Sequence, residues 1–208
     1  MKEKIIKKKT NNAKEWVAVI DFGSQYTQLI ARRIRELDVY SQIVRHTAAV
    51  SRLKDENLKA IILSGGPPSV TLPNSPSCDK KIFELGVPIL GICYGMHYMT
   101  KALGGKVKPV PRREYGRAEL ILDKSSALLK GVPNKSIVWM SHADQSIALP
   151  KRFDMAAHTI SCKAAAVENR DKAFYGVQFH PEVAYTAYGK DCLLYTSDAA
   201  DEEDSVDL

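Results

Sequence analysis

Cys93 stands between two glycines in Gly91-Ile92-Cys93-Tyr94-Gly95, behind the apolar run Pro88-Ile89-Leu90 and ahead of Met96, Met99 and Leu103 at helical spacing. This is the form of a nucleophile elbow, a strained turn from strand to helix that carries the reactive side chain at its tip. Glycines two before and two after leave room for the turn, because a Cβ there would collide with neighbouring backbone. A helix N-terminus favours negative charge, and the thiolate is the competent nucleophile. The bland alternative, a buried structural cysteine between unrelated glycines, fits a strand-turn-helix setting poorly.

A thiolate nucleophile needs a base within hydrogen-bond reach and a third group to orient the base. Five histidines are available: His46, His97, His142, His158 and His180. His180 stands out because Phe179-His180-Pro181-Glu182 sets a carboxylate two residues on, across a proline that fixes the local backbone. Glu182 can accept from one ring nitrogen and leave the other for the thiol. Acyl transfer also needs donors for a developing oxyanion. Gly66, in the pair Gly65-Gly66, and the amide of Tyr94 are the candidates. Ser64-Gly65-Gly66 is not a phosphate loop, since no Gly-Lys-Ser/Thr follows, and Asp21-Phe22-Gly23 lacks the other motifs of a kinase.

The elements that must position these residues read as alternating strands and helices. Trp16 to Ile20 is a short buried strand ending at Asp21-Phe22-Gly23, after which Ser24 can cap a helix through Tyr26, Leu29, Ile30 and Ile34. Val39 to Val44, Ala60 to Leu63 and Pro88 to Gly91 are further strands. The alternation implies an α/β fold: a mostly parallel central sheet with helices on both faces. Ligands of such sheets bind beyond the carboxyl ends of the strands, where Gly65-Gly66 and Cys93 fall. From Lys106 onward the pattern changes to shorter strand-like pieces, Ala118 to Leu122, Ser136 to Met140, Ser146 to Leu149, Ala164 to Glu168 and Ala173 to Phe179, expected as antiparallel additions. No internal repeat is present.

With 208 residues and 45% hydrophobic side chains, the chain can bury one substantial core. Its apolar stretches fall far short of the ~20 residues of a membrane helix, and Met1 to Lys14 is lysine-rich without the apolar run of a secretory signal. No membrane association and a cytoplasmic location are therefore expected. Cys78, Cys93, Cys162 and Cys192 show neither CxxC spacing nor a paired framework, which argues against a zinc site or a disulfide scaffold. The formal charge is +6; residues 1–191 alone carry 30 basic against 18 acidic side chains, or +12. Six of those bases are lysines of the first fourteen residues, and no nucleic-acid module accompanies them, so a solvated surface with a basic tail is expected and no nucleic-acid partner.

Five segments together resemble the class I glutamine amidotransferases, most of all the amidotransferase domains of GMP synthetases. They are Asp21 to Tyr26 with Ala31-Arg32-Arg33, Leu63 to Val70, Gly91 to Met96, Met140-Ser141-His142-Ala143-Asp144, and Gly176 to Val183. The resemblance covers about Trp16 to Lys190. It implies a catalytic triad of Cys93, His180 and Glu182, an oxyanion hole of Gly66 and Tyr94, and glutamine contacts from Gly65, His97, Ser141, His142 and Asp144. Ser141 and His142 would act mainly through backbone, and Asp144 would meet the α-ammonium. The family usually has Gln where His97 stands and Gly where Ala143 stands; weaker glutamine binding, or dependence on the partner domain, is the expected result. The resemblance further implies no metal and no cofactor on this domain. ATP and magnesium are expected only on a partner, the ATP pyrophosphatase domain or subunit that aminates XMP with the ammonia, and nothing in the chain resembles its phosphate loop.

The reading divides the chain into a basic N-terminal tail (1–14), an amidotransferase domain (15–191) and residues 192–208. Cys192 to Glu202 looks like one translated frame of a sequencing adapter, so 192–208 is expected to be a disordered, non-native tail and the chain a truncated fragment; a genuine acidic tail is the other reading. Competing functions are an amidotransferase of another synthetase, such as those for CTP or anthranilate, a non-catalytic glutamine-binding module, and a cysteine peptidase of similar architecture.

Overall fold

Trp16–Asp21 (β1) is buried at its first five positions, as a strand covered on both faces must be. The computed structural model describes residues 14–67 and 69–202. Chain order continues through α1 (Thr27–Arg35), β2 (Tyr40–Arg45), β3 (Leu58–Leu63), β4 (Ile89–Ile92), α2 (Tyr94–Ala102), β5 (Lys106–Leu122), β6 (Ser136–Ala148), β7 (Asp154–His158), β8 (Ala166–Asn169), β9 (Phe174–Val177) and α3 (Gly189–Glu202). One mixed sheet of nine strands runs in the order β2-β1-β3-β4-β9-β8-β7-β5-β6. The strands from β2 to β9 in that order pair in parallel, and those from β9 to β6 pair antiparallel. This is the expected α/β architecture.

Period-two alternation sends successive side chains of the parallel strands to opposite faces. Val17, Val19, Ile62 and Leu90 join one core with Ile30 and Ile34 of α1 and Leu193 of α3. Ala18, Ile20, Ile61 and Ile89 join the other with Tyr94, Tyr98 and Met99 of α2. Helices therefore cover both faces. The buried stripe of α1, Thr27, Ile30, Ala31 and Ile34, keeps the spacing of a single helical face.

Three local expectations are corrected. Ser24 does not cap α1: Tyr26 holds the N-cap position, and Ser24 Oγ accepts from the Tyr26 amide at 3.0 Å, forming a turn ahead of the helix. Ser146 to Leu149 is not a separate strand, because β6 runs without a break to Ala148, opposite a β5 that begins at Lys106. The prolines Pro109 and Pro111 hide β5 in the sequence; they are accommodated where the register shifts between Pro109 and Glu114, since a bulge tolerates a residue with no N–H. β7 has no counterpart among the expected strands.

The boundary at Cys192 also differs. α3 crosses it: Cys192 and Leu193 are buried in the core shared with α1, and the Tyr195 ring meets Tyr175 edge-on at 5.6 Å. Apolar side chains spaced along one turn dock this helix where the acidic composition downstream suggested disorder. The basic tail apart from Lys14, Pro68 of the Leu63–Val70 segment and residues 203–208 lie outside the described residues.

Candidate active site

Cys93 has φ 50° and ψ −103°, a region that costs a non-glycine residue roughly 1–3 kcal/mol and persists only when the surroundings impose it. The surroundings are specific. The Cys93 amide donates to the Val177 carbonyl at the end of β9 (2.8 Å), and the Cys93 carbonyl accepts from the His97 amide (3.1 Å), opening α2. A Cβ on Gly95 would lie 2.2 Å from the Leu63 carbonyl oxygen, and one on Gly91 would lie 2.6 Å from the Met96 nitrogen. Helix α2 is thus pressed directly onto the carboxyl ends of β3 and β4, and the sulfur is raised at their edge.

His180 follows β9, the neighbour of β4. Its amide donates to the Trp139 carbonyl of β6 (3.0 Å), and its carbonyl accepts from Thr186 Oγ1 (2.6 Å), so the backbone is held on both sides. Its Nδ1 lies 2.8 Å from Glu182 Oε1, and Glu182 is completely buried, its own carbonyl accepting from Arg33 Nε. The other carboxylate oxygen, Oε2, has no hydrogen-bond partner among the described residues. Burial pushes the His180 imidazolium down, but side-chain hydrogen bonds with Cys93 and Glu182, and the charges of both, outweigh it and hold the pKa well above its ordinary 6.5. The ring of Tyr26 packs edge-on against His180 with centroids 5.4 Å apart. A Cβ on Gly65 would come 3.4 Å from His180 Cε1, so the bare strand end lets the imidazole approach.

Cys93 and His180 open into one cavity of about 260 Å³, with Gly66, Ser141 and Tyr26 on its walls. A second of about 220 Å³ shares Gly66, Cys93 and Ser141 and adds Tyr94, His97 and His142. Gly66 has to be bare, because a Cβ there would fall 2.8 Å from the Tyr94 ring. The Tyr94 amide belongs to the first turn of α2, where N–H groups have no carbonyl within the helix. The sequence-derived residues Cys93, His180, Glu182, Gly65, Gly66, Tyr94, His97, Ser141 and His142 thus converge.

Asp144 does not reach this cavity wall. It is 1% exposed, and its Oδ2 accepts from Ser69 Oγ at 2.5 Å. His142 is buried between the Asp144 carbonyl (2.9 Å to Nδ1) and Glu114 Oε2 (3.2 Å to Nε2). His97 is 3% exposed, and its Nε2 lies 2.7 Å from Gln178 Oε1. Ser69, Glu114 and Gln178 escaped the sequence reading. Only Gln178 left a signal there, as the one amide in the apolar run Tyr175 to Phe179.

Chemically, a sulfur facing an imidazole that is backed by a buried carboxylate can carry out acyl transfer through a thioester. Among the described residues no group of three or more His, Cys, Asp or Glu side chains could hold a metal ion, and no helix is long and apolar enough to cross a membrane.

Residues 18–195 match the family model of the class I glutamine amidotransferases. The chain belongs to that family. Among curated relatives, a GMP synthase (glutamine-hydrolysing) of Caldanaerobacter subterraneus subsp. tengcongensis is 51% identical over 180 residues, 86% of this chain and 35% of its own length. One of Bacillus subtilis is 50% identical over 184 residues, 88% of this chain and 36% of its own. The amidotransferase thus spans about a third of the length of the curated relatives it matches. The solved structure of a protein from Thermoplasma acidophilum, described as one subunit of a GMP synthase, is 28% identical, with a TM-score of 0.84 over 93% of this chain and 98% of its own. A glutamine amidotransferase of Thermotoga maritima, 19% identical with a TM-score of 0.67 over 94% of this chain and 87% of its own, shares the fold.

Proposed function

We propose that the chain performs the glutaminase half-reaction of GMP synthesis and delivers ammonia to an ATP pyrophosphatase domain that aminates XMP. One observation carries this reading: the Cys93 sulfur and the His180 ring open into one cavity, and the buried Glu182 carboxylate stands 2.8 Å behind that ring. The relatives at about half identity add the assignment to GMP synthesis, since each is a glutamine-hydrolysing GMP synthase of which this chain matches about a third.

In this mechanism the Cys93 thiolate attacks the side-chain amide carbon of glutamine, and the amides of Gly66 and Tyr94 receive the oxyanion. His180, charged beside the thiolate, gives its proton to the departing nitrogen, which leaves as ammonia. Glu182 holds the ring with Nδ1–H toward itself and Nε2 toward the sulfur, and stabilises the imidazolium. Water then adds to the γ-glutamyl thioester with His180 as base, releasing glutamate and restoring the thiolate. Glutamine is the substrate and no metal or cofactor takes part on this domain. The reaction requires a reduced thiol, in keeping with a cytoplasmic setting.

The test is ammonia release from glutamine by the full chain and by Cys93→Ala, with and without a separately supplied ATP pyrophosphatase domain from the Bacillus subtilis relative, XMP and ATP. Cys93-dependent ammonia release that the added domain stimulates, with GMP formed, is expected. Equal rates for wild type and Cys93→Ala would overturn the proposal.

A further inference from the structure

Gln178 is completely buried, directly after β9, and no part of the mechanism above uses it. Its backbone is fixed by a bond from its amide to the Ala165 carbonyl (2.8 Å), while the preceding Val177 carbonyl holds the Cys93 amide. From that position the side chain reaches beneath the elbow, with Nε2 3.7 Å from Cys93 Sγ and Oε1 2.7 Å from His97 Nε2. An amide buried this fully at a strand end between Val177 and Phe179 is costly unless both its ends are bonded, and both are.

We infer that Gln178 donates a hydrogen bond to the Cys93 thiolate, and that His97 positions it by donating from Nε2 to its carbonyl oxygen. The inference rests on the reading of Cys93 as nucleophile. A side-chain amide turned the other way would aim its oxygen at the sulfur and repel the thiolate. The His97 ring, kept neutral by burial that pushes its pKa down to about 4, has a single N–H to give. With that N–H on Nε2, only the carbonyl end of Gln178 can face it, and the NH₂ end is left for the sulfur. The sulfur has an opposing neighbour in the Ser141 carbonyl, 3.6 Å away, which accepts from a thiol and repels a thiolate. Gln178 and the charged His180 therefore favour one protonation state and Ser141 the other. His97 acts here through Gln178, which reassigns it from glutamine contact to positioning.

Among the described residues, His180 faces the sulfur across the cavity with Glu182 behind it; the charge at Cys93 also acts on the buried Cys162, and Asp144 and His142 act on His97. Substituting Gln178 leaves His180 and Glu182 in place and removes a hydrogen bond only from the sulfur and from His97, whose burial keeps it neutral, so a change in the sulfur's titration reports the amide.

The experiment follows Cys93 without using glutamine hydrolysis. The rate of alkylation by iodoacetamide is measured against pH on the full chain, with Cys93→Ala subtracting the other three cysteines. In Gln178→Met, which keeps the length and loses the donor, the profile is expected to move up by about one to two pH units, the shift for removing a hydrogen bond to a charged group. His97→Leu should move it the same way by less, with the KM for glutamine unchanged. Superimposed Gln178→Met and wild-type profiles would overturn the inference. A raised KM with an unmoved profile in His97→Leu would return His97 to glutamine binding and overturn its positioning role. Should Gln178→Met not fold, the side-chain ¹⁵N resonances of Gln178 in the wild type decide. They must move with the same midpoint as the alkylation profile, and indifference to it is the overturning result. Because alkylation needs no turnover, an inactive protein with a Gln178-dependent profile would sink the glutaminase reading and leave this inference standing.

Discussion

Glu182 Oε1 stands 2.8 Å from His180 Nδ1, and only Pro181 separates the two residues in the chain. Two long side chains so close in sequence meet only across a tight local bend. Here the bend is imposed from both sides, by the Trp139 carbonyl on the His180 amide and by Thr186 Oγ1 on the His180 carbonyl. The carboxylate is sealed from water, and among the described residues its one hydrogen bond goes to the imidazole. An acid desolvated in this way interacts with His180 far more strongly than an exposed pair would.

Glu182→Gln keeps the shape and removes the charge. The amide can present nitrogen or oxygen to Nδ1, so the ring loses both its fixed tautomer and its stabilised charged form. A fall in kcat of about 10²- to 10⁴-fold is expected, with KM for glutamine changed little. Steady-state ammonia release measures it; an activity within twofold of wild type would remove Glu182 from the mechanism.

The raised pKa of His180 makes part of the stability depend on pH. Its folded value exceeds the unfolded one, so the contribution is complete below the unfolded value of about 6.5 and is lost as pH rises through the folded value. Cys93→Ala removes one of the two partners that hold the ring's pKa up. NMR titration of His180 should therefore show a lower pKa in Cys93→Ala than in the wild type, and urea unfolding should show the loss of stability above about pH 6.5 levelling off at lower pH and reaching a smaller total.

The parallel half of the fold was legible in the sequence because each of its strands is an apolar run closed by a chemically distinctive turn. Ala60 to Leu63 ends at Gly65-Gly66, and Pro88 to Gly91 ends at Cys93. The antiparallel half was harder to read, since β5 carries two prolines and its register shift, and β7 is a short strand with exposed Met155. That Cys93, His180 and Glu182 would come together was legible because glycine spacing and the His-Pro-Glu tripeptide are local signals. The Asp144–Ser69 and His97–Gln178 contacts join residues 75 and 81 positions apart, and local spacing carries no information about either.

His97 shapes the acid limb of stability. Burial holds its folded pKa at about 4, below the unfolded value, so its contribution is present above about 6.5 and is lost as pH falls toward 4. The unfolded chain binds one more proton over this window. His97→Gln should flatten the dependence of unfolding free energy on pH by up to ~1.4 kcal/mol per pH unit between those limits. Urea unfolding at pH 4.5, 5.5 and 7 tests this, and parallel curves for the two proteins would show that His97 is not the group responsible.

Gly95→Ala sets helix propensity against packing. Alanine in place of glycine inside α2 would add about 1 kcal/mol of helix stability. The new Cβ, however, would sit 2.2 Å from the Leu63 carbonyl oxygen, a backbone atom of the central sheet that cannot rotate aside. Relief requires α2 to move off β3, which costs about 3 kcal/mol and outweighs the gain. It also carries the Cys93 backbone with it, so glutamine hydrolysis should fall further than stability alone explains. Gly86→Ala is the control: its φ of +75° costs about 1 kcal/mol, but nothing lies within 4 Å of the added Cβ, so activity per folded molecule should stay at the wild-type level. Urea midpoints and ammonia release for the two variants separate the effects. Equal activity per folded molecule in both would mean that the contact of α2 with β3 does not set the position of the sulfur.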